Sequence, residues 1–281
     1  MQSNQDICLA TLRDTDRDRY LACLLSPPPA RGALAALYAF NAELARIRDI
    51  VHEPLPGEVR MQYWRDLLEG TSHGSSEANP VASELLHAIE SHRLPRQTLI
   101  DMVDARIFDL YDDPIESRTA LEGYAGETAS ALIQLASLVL DPDNAAASAE
   151  AAGHAGVAQA IAGLLLLMPL HRRRGQLYLP LDILSATGLD RDSFLEGKDT
   201  DRVSAAVEAF AGLGRDHLAK ARASAGQISR DAFPAFLPVA LAEPVLKAAQ
   251  KYRSAIFERS IQPSPLRRQW SLGRAAFTRR F

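Results

Sequence analysis

The residues best suited to chemistry lie in the stretch Gly156 to Pro180, GVAQAIAGLLLLMPLHRRRGQLYLP. It joins an apolar run, Ala160 to Leu170, to a basic cluster, His171-Arg172-Arg173-Arg174, and closes on Gly175-Gln176-Leu177-Tyr178-Leu179-Pro180. No Asp or Glu occurs between His154 and Leu181. Consecutive arginines at a turn can grip a phosphate through charge-assisted hydrogen bonds; they equally suit a solvated turn or a contact with acids elsewhere in the chain. A second candidate is the segment 30–53, ARGALAALYAFNAELARIRDIVHE. Tyr38, Asn41, Ala45, Arg48, Asp49 and His52 recur there at helical spacing, opposite an apolar face of Ala33, Leu37, Phe40, Leu44, Ile47 and Val51. A polar face that also carries an aromatic and an alanine fits a helix lining a cavity, and it fits a solvated face as well. A third is the acidic set Asp101, Asp104, Asp109, Asp112 and Asp113. Asp109 and Asp113, four apart, would share a helix face and could bind a metal, but Pro114 follows at once and Arg106 is a local partner. We read this set as a solvated helix end and turn.

The elements that must position these residues are helices throughout. Strand-like alternation is nearly absent, and long Ala/Leu-rich segments are punctuated by Pro and Gly. The pattern predicts helices near 5–25, 30–51, 57–70, 80–92, 96–112, 118–140, 145–168, 201–226, 235–258 and 265–278. Most prolines fall between them, where a missing N–H does least harm. Pro169 follows the apolar run directly, and a helix running through it should kink or stop near Met168. No repeat and no long linker divides the 281 residues, so one all-α domain over 1–281 is expected.

Bulk properties narrow the function. An apolar fraction of 47% and a charged fraction of 23% mark an ordinary folded chain. A net charge of -4 and a pI near 6.0 give no global attraction to nucleic acid, and none is expected as a partner. Cys8 and Cys23 form no metal motif and read as buried thiols of a reduced compartment. The start, MQSNQDICLATLRD, lacks the look of a secretory signal, and the apolar run 160–170 is short for a bilayer span. A cytoplasmic protein, or a mitochondrial matrix one if organellar, is expected. The tail 266–281 carries five arginines, no acid, and Trp270, Leu272, Phe277 and Phe281. It suits either a last helix docked through its aromatics or a peripheral contact with an anionic membrane.

Several of these segments resemble the squalene/phytoene synthase family. Tyr38-Ala39-Phe40-Asn41 is similar to the start of its first motif, whose Asp-Asp-x-x-Asp falls on Ala45, Arg46 and Asp49. Glu58 to Asp66, EVRMQYWRD, resembles the helix that packs beside it, and Leu121 to Ala131 stands where the family has a Tyr-containing helix facing the cavity. The turn closing on Tyr178-Leu179-Pro180 matches the end of the second motif, whose Asp-x-x-x-Asp falls on Leu167 and His171. The resemblance implies an isoprenoid synthase-like helical bundle around a central cavity, with Tyr38, Asn41, Ala45, Asp49, His52, Leu167, His171, Arg172, Arg174 and Tyr178 facing a ligand. In the family those acids hold Mg²⁺ against a prenyl diphosphate. Here one, Asp49, remains, and Leu and His cannot replace hard oxygen ligands.

The expected function is therefore binding or assembly without Mg²⁺ or another cofactor, with an isoprenoid or lipid as ligand or a protein of a respiratory complex as partner. Asp231 to Leu237, DAFPAFL, resembles the branch of this family formed by the assembly factors of mitochondrial respiratory complex I and their bacterial relatives. The alternative keeps a prenyl-diphosphate transferase in which Asp49, Arg48, His171 and the arginine cluster serve an altered, Mg²⁺-assisted diphosphate chemistry.

Overall fold

A computed structural model describes residues 3–51, 53–71 and 78–281; His52, one of the expected site residues, lies outside the described residues. Among those described there is no strand, and fourteen α-helices follow in order: α1 (Asn4–Thr15), α2 (Arg17–Leu25), α3 (Arg31–Ile50), α4 (Pro54–Glu69), α5 (Pro80–His92), α6 (Arg96–Ile107), α7 (Arg118–Ala125), α8 (Ala131–Leu140), α9 (Ala149–Arg173), α10 (Leu181–Ala186), α11 (Arg191–Glu196), α12 (Thr200–Ala223), α13 (Ala242–Tyr252) and α14 (Pro265–Thr278).

The centre is built around α3 and α9. On α3 all six positions of the expected apolar face are buried, and Tyr38 and Asn41 of the other face are buried too. This helix packs on α1 and α5, while α9 packs along α12 and α13. Small residues let the backbones approach. Gly156 of α9 lies against Ser130, and Gly214 of α12 lies against Leu246 and Ile161, so a Cβ at either glycine would collide. His217 of α12 ties two neighbours together, meeting Glu122 of α7 and His154 of α9, each at 3.1 Å.

Four departures from the sequence expectation have local causes. The first helix breaks at Asp16, whose extended backbone lets its carboxylate cap α2 by accepting from the Arg19 N–H at 3.1 Å; a short acidic side chain favours such a cap over a helix interior. The helix expected over 118–140 holds a π-helical turn, Gly126–Ser130, between α7 and α8. The one expected over 235–258 has a 3₁₀ stretch at each end, Phe233–Leu241 and Arg253–Phe257, and α10 and α11 fill a region read as a loop.

Pro169, finally, does not stop α9. The helix continues to Arg173 and is closed by the N–H groups of Arg174 and Gln176, both bonded to the His171 carbonyl. Leu165 and Met168 stay buried in the bundle, and that packing outweighs one lost hydrogen bond. The helical stretch Ala145–Arg173 is long and apolar enough in composition to cross a bilayer, but 56% of its apolar window is buried inside the bundle.

The thiols of Cys8 and Cys23 are free and buried, and burial pushes both up to about 12.

Candidate functional site

Between α3 and α9 lies a cavity of about 370 Å³, within the size range of small-molecule sites. From α3 it receives Asn41, Ala42, Ala45 and Arg46; from α9, Gln159, Gly163 and Leu166 to Leu167 among others. The π turn sets Thr128 and Ala129 into the wall, below Tyr124, and the 3₁₀ stretch contributes Pro238. Such single-turn π segments re-aim the side chains that follow them. A second groove of about 610 Å³ shares Thr15, Asp16, Gly163, Leu166, Leu167 and Gln262 with this cavity, so the two adjoin.

The structure brings Asn41, Ala45 and Leu167 together on this cavity and leaves the other expected residues off it. Tyr38 is buried with the guanidinium of Arg19 over its ring, 5.8 Å from the centroid. Asp49 is half-exposed, and its carboxylate accepts from Arg174 Nη1 at 2.6 Å. Arg48 turns to Asp112 at 3.3 Å.

His171 packs at a tilt against Tyr178, with ring centroids 4.6 Å apart. Burial pulls its imidazole down to about 4, with the positive charge of Arg174 adding to the effect and Asp109 and Asp49 opposing it, so it is neutral at physiological pH. Arg172 faces away altogether: it donates to the carbonyls of Leu195 (2.8 Å) and Glu196 (2.6 Å) and lies over Phe257. The basic cluster of the turn therefore supplies no guanidinium to the cavity wall.

The charge on that wall comes from residues that the sequence did not place together. Arg19, Arg46, Arg106 and Arg268 line the cavity with two carboxylates, Asp16 and Asp18. Arg19 meets Asp16 at 2.5 Å, and Arg268 meets Asp18 at 2.6 Å. Arg46 has no carboxylate within 4.0 Å among the described residues. With Arg106 paired to Asp109, three of the four guanidiniums are neutralised and Arg46 leaves the wall locally positive. The only early signal for the Arg19 pair was Asp16-x-x-Arg19 at cap spacing, and Arg268 was visible merely as part of the basic tail.

The acidic set also needs correcting. Asp109 is not solvated but buried, and it accepts from Arg106 Nη1 (3.0 Å), Tyr124 Oη (2.9 Å) and Tyr178 Oη (3.1 Å). Arg106 Nη1 also donates to Tyr124 Oη at 2.8 Å. Burial raises both phenols, and the neighbouring carboxylate raises them further, so each remains a donor. For Arg106, burial works against the charge but Tyr124 and Asp109 outweigh it and hold the guanidinium protonated. The network pins the turn after α9 to α6 and α7. Asp104 and Asp112 pair with Arg65 and Arg48.

This arrangement does not fit Mg²⁺. An octahedral site needs several hard oxygens converging on one point. The two walls instead present Ala45, Arg46 and Leu167, with His171 turned to Tyr178 and Asp49 engaged by Arg174. Among the described residues no three His, Cys, Asp or Glu side chains are grouped to hold a metal ion.

The fold agrees with comparisons to known proteins. The model of the squalene/phytoene synthase family matches residues 12–274, and the chain belongs to that family. It is similar to assembly factor 6 of NADH dehydrogenase (ubiquinone) complex I from Rattus norvegicus, at 36% identity over 255 residues, covering 91% of this chain and 76% of that protein. The Homo sapiens assembly factor is 35% identical over the same coverage. A 15-cis-phytoene synthase from Synechocystis sp. is 23% identical over 92% of this chain and 81% of its own. Among solved structures, a dehydrosqualene synthase in complex with ligand aligns with a TM-score of 0.76 at 18% identity, over 98% of this chain and 96% of that one.

Proposed function

We propose that this chain is a non-catalytic member of the squalene/phytoene synthase family that serves the assembly of respiratory complex I and keeps its cavity as a binding site. The observation that carries the reading is the pair Ala45 and Leu167 on the two cavity walls, with Asp49 neutralised by Arg174. Ionising a prenyl diphosphate requires that the leaving charge be met at the moment it forms, and metal ions held by opposed carboxylates do this. Among the described residues no such pair faces the cavity. The names of its more similar relatives, assembly factors at 35–36% identity, support the assembly half of the reading. The work would take place in the cytoplasm, or in the matrix of a mitochondrion, beside the membrane that holds the complex.

The ligand we assign to the cavity is an isoprenoid or another long apolar molecule with an anionic end. Ala42, Ala160, Leu164, Leu167, Leu241 and Val245 make an apolar wall for the chain, and Arg46, with no carboxylate partner among the described residues, would meet the head group. Asn41 and Gln159 can donate further hydrogen bonds.

The test has two arms. Protein purified from its host is extracted and analysed by mass spectrometry, where a copurified isoprenoid supports the ligand and its absence, with no uptake of a fluorescent farnesyl analogue, removes it. Loss of the gene should lower the amount of assembled complex I, and a chain carrying Arg46→Glu should restore it poorly. Normal complex I without the gene would remove the assembly reading.

A further inference from the structure

The last helix carries a surface that neither the fold nor the cavity uses. α14 is held at both ends. Arg268 is paired with Asp18, Leu272 and Ala275 are buried, and Phe281 stacks on Phe236 and Phe233 with ring centroids 5.8 and 6.2 Å apart. Arg222 Nε donates to the Phe281 carbonyl at 2.6 Å. This docking uses one side of the helix.

The other side holds Leu266, Trp270 and Phe277, which are 79%, 73% and 91% exposed, more than any other large hydrophobic side chain among the described residues. At 100° per residue they fall within an arc of about 40°. Arg267 and Arg274 border this arc on one side, and Arg279 and Arg280 follow the helix end, all four exposed and without a carboxylate within 4.0 Å among the described residues. No acid occurs from Arg259 to Phe281, in a chain whose net charge is -4.

We propose that this face of α14 lies on an anionic lipid surface. Three apolar side chains on one rigid helix, with arginines at their borders, can reach the acyl boundary while the guanidiniums stay at phosphate depth. A tryptophan suits that interface because its ring is amphipathic.

A second copy fits less well. Three side chains along roughly 16 Å of helix bury far less than the ~800 Å² per partner of a stable interface. A two-fold contact would also bring the same arginines of both copies together.

Docking of this kind depends on the helix being preformed, and its inner contacts provide that. Through Arg268, whose side chain borders the cavity, the same helix joins the lipid surface to the rim of the site.

The full chain is mixed with phosphatidylcholine vesicles, with and without phosphatidylglycerol, and followed by flotation and tryptophan emission. Co-flotation with the anionic vesicles, a blue shift of the emission and release at high salt are expected. Trp270→Glu with Phe277→Glu should lower vesicle binding about tenfold or more, with unchanged circular dichroism and thermal midpoint because both side chains are exposed. Replacing Arg267, Arg274, Arg279 and Arg280 with Gln should lower binding to the anionic vesicles by about tenfold or more. The proposal is overturned if the anionic vesicles do not bind, if neutral vesicles bind as well, if the Trp270/Phe277 variant floats like the parent, or if the parent instead forms a dimer that this variant abolishes.

Discussion

Two buried groups beside the site lend themselves to direct tests. Removing the Asp109 carboxylate would leave Arg106 charged, largely enclosed and without its ionic partner. Asp109→Ala should therefore cost about 3–5 kcal/mol in chemical denaturation, and Tyr178→Phe, which removes one neutral donor, about 1 kcal/mol. His171 is the pH-sensitive member. Its imidazole is held down to about 4 by burial, so below pH 6.5 the unfolded chain binds more protons than the folded one, and stability falls as pH drops toward 4. A His171→Gln variant should lose ~2 kcal/mol less than the parent between pH 7 and 5. Equal acid slopes for the two proteins would show that His171 titrates normally. At this scale the sequence was only partly legible. The local pairing of Arg106 with Asp109 could be read from their spacing, whereas the two tyrosines arrive from Tyr124 and Tyr178, distant in the chain. Arg172 was misplaced because the Leu195 and Glu196 carbonyls that capture it belong to a short helix that periodicity does not reveal.

Close backbone contacts govern how the elements frame the cavity. Gly156 sits where α9 crosses the π turn, and the Ser130 Oγ donates to the Gly153 carbonyl at 2.8 Å across the same crossing. A Cβ at Gly156 would meet both the backbone and side chain of Ser130, so Gly156→Ala should destabilise by about 1–3 kcal/mol. Gly163, also on α9, has open space where a Cβ would stand, and Gly163→Ala should leave the melting temperature unchanged or slightly higher. If the two substitutions behave alike, the crossing is not as tight as the structure has it. Helix existence was readable from the 3.6-residue period, and the apolar face of α3 was readable residue by residue. The break at Asp16 and the π turn were not. Each depends on a competition between a local hydrogen bond and the helix ladder, which hydrophobic spacing does not report. Pro169 misled for the opposite reason, since packing of Leu165 and Met168 keeps α9 going past a residue that would end an isolated helix.

For the molecule as a whole, an inherited fold is combined with a changed wall. The helical bundle followed from the resemblance, and its fold is shared with the synthases, which match in structure at low identity. The absence of opposed acids was legible because it lies in the motif positions themselves, and Arg46 stands in one of them; that Arg19, Arg106 and Arg268 join it on one wall was not, because those residues come from helices that meet only in three dimensions. The most direct test incubates the purified chain with farnesyl and geranylgeranyl diphosphates and Mg²⁺, with products followed by mass spectrometry, while calorimetry measures Mg²⁺ and Mn²⁺ binding to the protein with a non-hydrolysable diphosphate analogue. The account predicts neither a condensation product nor metal-dependent binding of the analogue. Turnover that chelation abolishes would contradict it at its centre.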